Sequence, residues 1–267
     1  MTTLTAAPGT STRDTSTGRV LARACAAEWT RLWTVKATWW FLAAAAVVML
    51  GIGTIAGLEA AGDADPPQGD PAWAVSRISA MPAQFALLAL VLLAVTSDYA
   101  TGGIVPALQW TPRRTVLFVA RALVTVGTAT VAGVLLAAGS AVAAFTAARP
   151  LLRLPVDEGL DVLGTVAVVL AAGAALAVGL GFLLRNAAGG LVTVFLLMLL
   201  LPLLLPQFGY EWMTELALVL PGTGAAHLLL GEVPGMTTTS SSVVLAAWAV
   251  GAVALGWARL VRDDANR

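Results

Sequence analysis

Charge is what this 267-residue sequence has least of. Asp, Glu, Lys and Arg make up 11% of it, against roughly 25% in soluble globular domains, which excludes an ordinary water-facing surface. One Cys and one His occur. Cys25 can therefore form no internal disulfide, and there is no Cys/His cluster to hold a metal. Lysine is reduced to Lys36, which follows no glycine-rich loop, so a Walker A nucleotide site is excluded. His227 has no nucleophile motif around it and reads as a surface or interface residue. The apolar stretches carry no Asp, Glu, Lys or Arg in their middles, where such groups mark ion and proton pathways. A nucleotide-binding enzyme, an intramembrane hydrolase and a proton-driven carrier each lack their parts.

Apolar residues are what is abundant: the chain is 58% hydrophobic, with a mean hydropathy of +0.86. Six stretches, 37–58, 78–97, 122–148, 162–184, 186–210 and 233–258, reach or approach the roughly 20 residues that cross a hydrocarbon core. The last crossing itself occupies about 242–258. The expected fold is an all-α polytopic membrane protein with six transmembrane helices. The remaining residues are too few for a second, soluble domain. Charge alternates from gap to gap. Residues 1–36, 98–121, 185 and 259–267 hold twelve of the 15 Lys and Arg but only five of the 15 acids. The other gaps hold three bases (Arg77, Arg149, Arg153) and ten acids. Because Lys- and Arg-rich loops stay cytoplasmic, both termini are expected inside.

Residues 1–18 are mostly Thr, Ser, Ala, Pro and Gly and are expected to form a disordered cytoplasmic tail. Over 19–36 a helical period puts Arg19, Arg23, Thr30, Arg31 and Thr34 on one arc, with Leu21, Cys25, Trp29, Leu32, Trp33 and Val35 opposite. This is the pattern of a helix lying in the membrane interface, and Glu28 and Lys36 interrupt its apolar arc. A membrane domain over 37–260 follows, with Trp39 and Trp40 at headgroup depth. Gly53 and Gly57 form a small-residue packing motif with no partner named. The gap 59–77 is an acidic external turn. The basic loop 98–114 contains Gly102, Gly103, Pro106, Pro112, Arg113 and Arg114, and Arg121 beyond it is expected to snorkel to the cytoplasmic interface. The external gap 149–161 is short. Arg185-Asn186 is a tight inside turn that makes spans four and five a hairpin. Pro202 and Pro206 bend or end span five. Residues 216–230 are too few to cross, are broken at Pro221-Gly222, and lie among Glu211, Glu215 and Glu232. The segment 206–240 is therefore expected to be re-entrant on the outer face, and 261–267 a cytoplasmic tail. Gln84 and scattered Thr residues (Thr54, Thr96, Thr125, Thr128, Thr193) are polar groups within the spans, and each reads as hydrogen bonding within or between helices.

A membrane body with a structured basic face and no energy source of its own suggests a subunit powered from outside. Four stretches carry a resemblance: Glu28-Trp29-Thr30-Arg31-Leu32 with Trp39-Trp40; Ser97-Asp98-Tyr99 through Thr101-Gly102-Gly103-Ile104 with Pro112-Arg113-Arg114 and Arg121; Gly179 through Arg185-Asn186 to Gly189-Gly190; and Leu220-Pro221-Gly222-Thr223-Gly224. In this order and spacing the chain resembles the permease subunits of type 2 ABC exporters, in the branch common in high-GC bacteria. Fourteen Arg against one Lys fits that coding bias. The resemblance implies six spans per subunit and a substrate path formed by two permease subunits, identical or homologous. It implies two cytoplasmic ABC ATPase subunits that carry ATP and Mg, and residence in the bacterial inner membrane. This chain itself would hold no cofactor and bind no nucleic acid, its surroundings being the lipid bilayer. Carried over by position, Asp98, Tyr99, Gly102, Arg113, Arg114 and Arg121 would couple to the ATPase, with Glu28, Trp29, Arg31 and Trp33 on the interfacial helix. Asp98 stands where the family usually has Glu, and Arg121 where Lys is common. The competing expectation is a membrane structural or assembly subunit, or an orphan secondary carrier, working without an ATPase.

Overall fold

The computed structural model describes residues 16–63, 69–110, 113–231 and 233–262. Most of the 1–18 tail, Pro112, Glu232 and most of the 261–267 tail lie outside these. Helix α1 (Thr17–Thr34) stops at Val35, whose backbone is extended, and α2 (Lys36–Gly62) begins one residue later. The lead helix is thus separate from the first long one, and Lys36 belongs to the latter. The break leaves carbonyls without helical partners. Thr38 donates its hydroxyl to the Leu32 carbonyl at 2.7 Å and Trp39 its indole N–H to that of Trp33 at 3.1 Å. Helix α3 (Trp73–Thr101) ends at Gly102, whose φ of 73° is the left-handed stop that glycine accepts without strain. Short α4 (Ile104–Trp110) leads to α5 (Arg114–Ala147) and α6 (Val156–Leu184). Asn186 then caps α7 (Ala187–Phe208) by accepting the Gly189 N–H at 2.8 Å.

Within α7, Pro202 has no N–H to offer the Met198 carbonyl, and the helix widens into a π turn over Leu196–Leu200. Around Pro206 it tightens into a 3-10 turn, Leu205–Phe208. Two short helices, α8 (Glu211–Leu218) and α9 (Pro221–Leu230), meet at 74°. The last helix is α10 (Thr238–Arg262). Among the described residues the regular structure is all helix, and one isolated bridge joins Pro71 and Arg153.

Six helices, α2, α3, α5, α6, α7 and α10, are long and apolar enough to cross a membrane. In α6 and α3, 67% and 56% of the apolar window is buried, against 17–28% in the other four. The first two therefore form the centre and the others a rim. Val47, Leu135, Leu203 and Val250 on that rim are exposed, which suits hydrocarbon rather than water. Small residues set the close contacts. A Cβ on Gly53 would stand 2.8 Å from the Ser140 hydroxyl, and one on Gly57 2.8 Å from the Ala147 methyl. The Gly53/Gly57 pair thus packs α2 onto α5. Gly179 and Gly256 bring α6 and α10 together in the same way.

The gaps between helices gather at two ends of the bundle. At one, the α2–α3 and α5–α6 connections pair through their backbones: Gly69 N–H to Leu151, Ala72 N–H to Arg153 and Arg153 N–H to Asp70, at 2.8–3.0 Å. The C-terminus of α9 lies there too, since Leu229 and Leu230 share a cavity with Pro71, Trp73 and Glu158. This is the acidic end. The other, basic end assembles α1, the start of α5 and the ends of α3, α6 and α10.

Candidate functional site

The basic end is organised around four charges on three helices. Arg121 of α5 is completely buried, and Glu28 of α1 is 7% exposed. The Arg121 guanidinium donates to both Glu28 carboxylate oxygens, at 2.8 Å from Nη2 and 3.2 Å from Nε. Its Nη2 also lies 2.7 Å from Oδ2 of Asp98, near the end of α3. Arg31 closes the ring. It donates from Nε to Glu28 at 3.0 Å, from Nη1 to Asp98 Oδ1 at 3.0 Å and from Nη2 to the Ala94 carbonyl at 2.7 Å. Two cations face two anions, so the cluster is neutral. Buried charges are tolerated where each is paired and hydrogen-bonded. Burial raises the Glu28 carboxyl, but the charges and hydrogen bonds of Arg121 and then Arg31 outweigh it and hold the group below its ordinary value.

Arg121 was expected to snorkel outward. It turns inward instead, because Glu28 and Asp98 offer three oxygens to its planar fork. Glu28, the acid that interrupts the apolar arc of α1, is the residue through which α1 attaches to the bundle, and Leu32 is buried one turn later on the same face. Arg31, placed on the solvent arc, is half-buried and straddles both carboxylates. Trp29 is half exposed. Its ring meets that of Trp33 edge-on at 5.4 Å, and Trp33 meets Trp39 at 5.1 Å. These three aromatics line the junction of α1 with α2.

The other residues expected at this site sit around the cluster but outside it. The Tyr99 ring lies 5.4 Å from the Arg185 guanidinium and edge-on to Phe182 at 6.4 Å. Gly102 terminates α3. Arg113 is exposed and donates to the Thr17 hydroxyl at 3.2 Å. Arg114 donates to the carbonyls of Leu260 and Val261 at 3.1 and 3.2 Å, holding the end of α10. Sequence reasoning did not assign Arg185 and Arg259 to any such role. Arg259 donates to the Leu183 carbonyl at the end of α6, and Arg185 reaches the Arg259 carbonyl at 3.4 Å. Their place in gaps rich in Arg signalled topology; their carbonyl partners carry no sequence signature.

The cluster holds no nucleophile. Its chemistry is that of an electrostatic joint. Moving α1 relative to α3 and α5 would separate buried charges, so the joint opposes their relative displacement.

Fold and site together define a polytopic, all-α membrane protein with a buried ion-pair joint at one end. A search against family models and one against curated proteins each returned no match.

Proposed function

We propose that this chain is the transmembrane permease subunit of an ABC exporter. It would form the substrate path as a dimer, driven by separate cytoplasmic ATPase subunits. The observation that carries the reading is the Glu28–Arg31–Asp98–Arg121 joint. It fuses an amphipathic lead helix to the two spans flanking the 98–114 loop. A push on that loop or on α1 from the cytoplasm would reach α3 and α5 without slack, which a two-state device powered from one face requires. The excess of Arg at that end supports a cytoplasmic orientation for it and for both termini.

The α8–α9 pair supports the same architecture. The turn at Val219 accepts the Trp248 indole N–H at 2.7 Å, and Trp248 lies about ten residues, or ~15 Å, along α10 from its start. That is half of a hydrocarbon core of about 30 Å. Gly222 packs on the Met198 backbone, a similar distance before the end of α7. A re-entrant hairpin entering from the outer face and returning to it fits these contacts.

The test is co-purification of the tagged chain with ABC ATPase subunits from its native membrane, followed by ATP-driven transport in reconstituted vesicles. Arg113→Glu is the informative variant. Arg113 is exposed and bears on no buried group, whereas Arg114 also holds α10. The variant should insert normally, and its complex with the ATPase subunits should hydrolyse ATP with transport reduced at least tenfold. Undiminished transport would remove the loop from the coupling path. A chain that purifies with no ATPase would favour the assembly-subunit reading.

A further inference from the structure

Arg77 is one of only three bases among the gaps of the acidic end, and it is not accounted for by topology. Arg149 there lies over the Phe145 ring at 4.7 Å, and the backbone of Arg153 joins the two connections. Arg77 has neither kind of engagement. Its Nε is buried without a hydrogen-bond partner, and among the described residues it forms no ion pair. It lines a cavity of about 400 Å³ together with Trp73, Glu158 and Asp161. That is within the roughly 300–1,000 Å³ of small-molecule sites. Glu158 and Asp161, on the first turns of α6, likewise have no ion-pair partner among the described residues. One cation and two anions therefore share a cavity without pairing with each other.

The cavity wall is built. The Trp73 indole donates to the Pro155 carbonyl at 2.8 Å, and its ring rests where a Cβ on Gly159 would stand, 2.5 Å from the nearest ring carbon. Any larger residue at 159 would expel the ring. Ile78 and Leu230, each 53% exposed, continue the lining with apolar surface.

We infer that this cavity is a binding site for a zwitterionic phosphate–ammonium head group. The phosphate meets the Arg77 guanidinium, a planar fork matched to phosphate oxygens. The ammonium meets Glu158 and Asp161, and an attached chain lies over Ile78 and Leu230. A ligand with both signs satisfies all three side chains. An anionic head group would face two uncompensated carboxylates, and a simple cation would leave Arg77 unpaired. The inference needs no ATPase and stands apart from the proposed function.

Native mass spectrometry of the purified full chain tests it, with phosphatidylethanolamine, phosphatidylglycerol and water-soluble phosphoethanolamine as probes. Phosphatidylethanolamine should bind at least tenfold tighter than phosphatidylglycerol. Arg77→Gln should lower that binding about tenfold. The double variant Glu158→Gln with Asp161→Asn should bring phosphatidylglycerol to parity or better. Asp161 is exposed and Glu158 half-buried, so this variant does not depend on a core change for its folding. Displacement of the lipid by phosphoethanolamine would support the head group as the recognised unit, with a soluble ligand as source. Failure of phosphoethanolamine to compete, with the lipid preference intact, would support a membrane lipid as source. Equal binding of the two lipids to the unaltered chain, or a preference untouched by both variants, overturns the site.

Discussion

Glu28 shows what one residue reveals in sequence and what it withholds. A lone acid on the apolar arc of an amphipathic helix is a visible anomaly. Its explanation lies 93 positions away at Arg121, beyond the reach of any local pattern. Removing one member of a buried pair costs about 3–5 kcal/mol, whereas replacing both with apolar groups is far less costly. Glu28→Gln should therefore lower the thermal midpoint of the detergent-solubilised protein sharply, and Glu28→Leu combined with Arg121→Met should recover most of the loss. The effect has a pH signature. Because the carboxyl lies below its ordinary value of 4.5 in the fold, its contribution is complete above that pH. It fades as pH falls through the lower folded value. Acid titration of the midpoint should show this decline in the native chain and a shallower one in Glu28→Gln; identical slopes would show that Glu28 is not charged in its pair.

At the scale of elements, period and length located all six long helices, and Pro202, Pro206 and Pro221-Gly222 located the breaks. What those breaks accomplish was hidden. Proline withdraws a donor, but that the widened turn near Met198 faces Gly222 depends on how α7 meets α9. The Gly53/Gly57 motif was similarly legible without its partner, because a small residue records that something comes close and not what does. Gly51 supplies an internal control. It lies on the same helix, with nothing within 4 Å of an added Cβ, whereas at Gly53 an added Cβ meets Ser140. Gly51→Ala should be neutral or stabilising by up to ~1 kcal/mol through helix propensity. Gly53→Ala should cost about 1–3 kcal/mol by overpacking. Parallel thermal unfolding of the two variants checks this, and equal effects would deny the close approach of α2 and α5.

For the molecule as a whole, charge alternation foretold that basic and acidic gaps collect at opposite ends, and the helices deliver them there. Which end faces the cytoplasm is open to direct measurement, since the only cysteine, Cys25, is partly exposed on α1 at the basic end. A membrane-impermeant maleimide should label it in inverted vesicles and not in right-side-out ones; the reverse pattern would invert the orientation. The arginine contacts with helix ends bear also on biogenesis. Arg114 waits for the carbonyls of Leu260 and Val261, and the end of α6 waits for Arg259. Arg259, Leu260 and Val261 all lie on α10, which is synthesised after the other five spans. A nascent chain with five spans inserted still has an open basic end, and the arrival of α10 is the event that latches it. Chains truncated within the final turns would keep every span and lose the latch, a defect that cellular quality control would meet as an unsealed bundle rather than a missing helix.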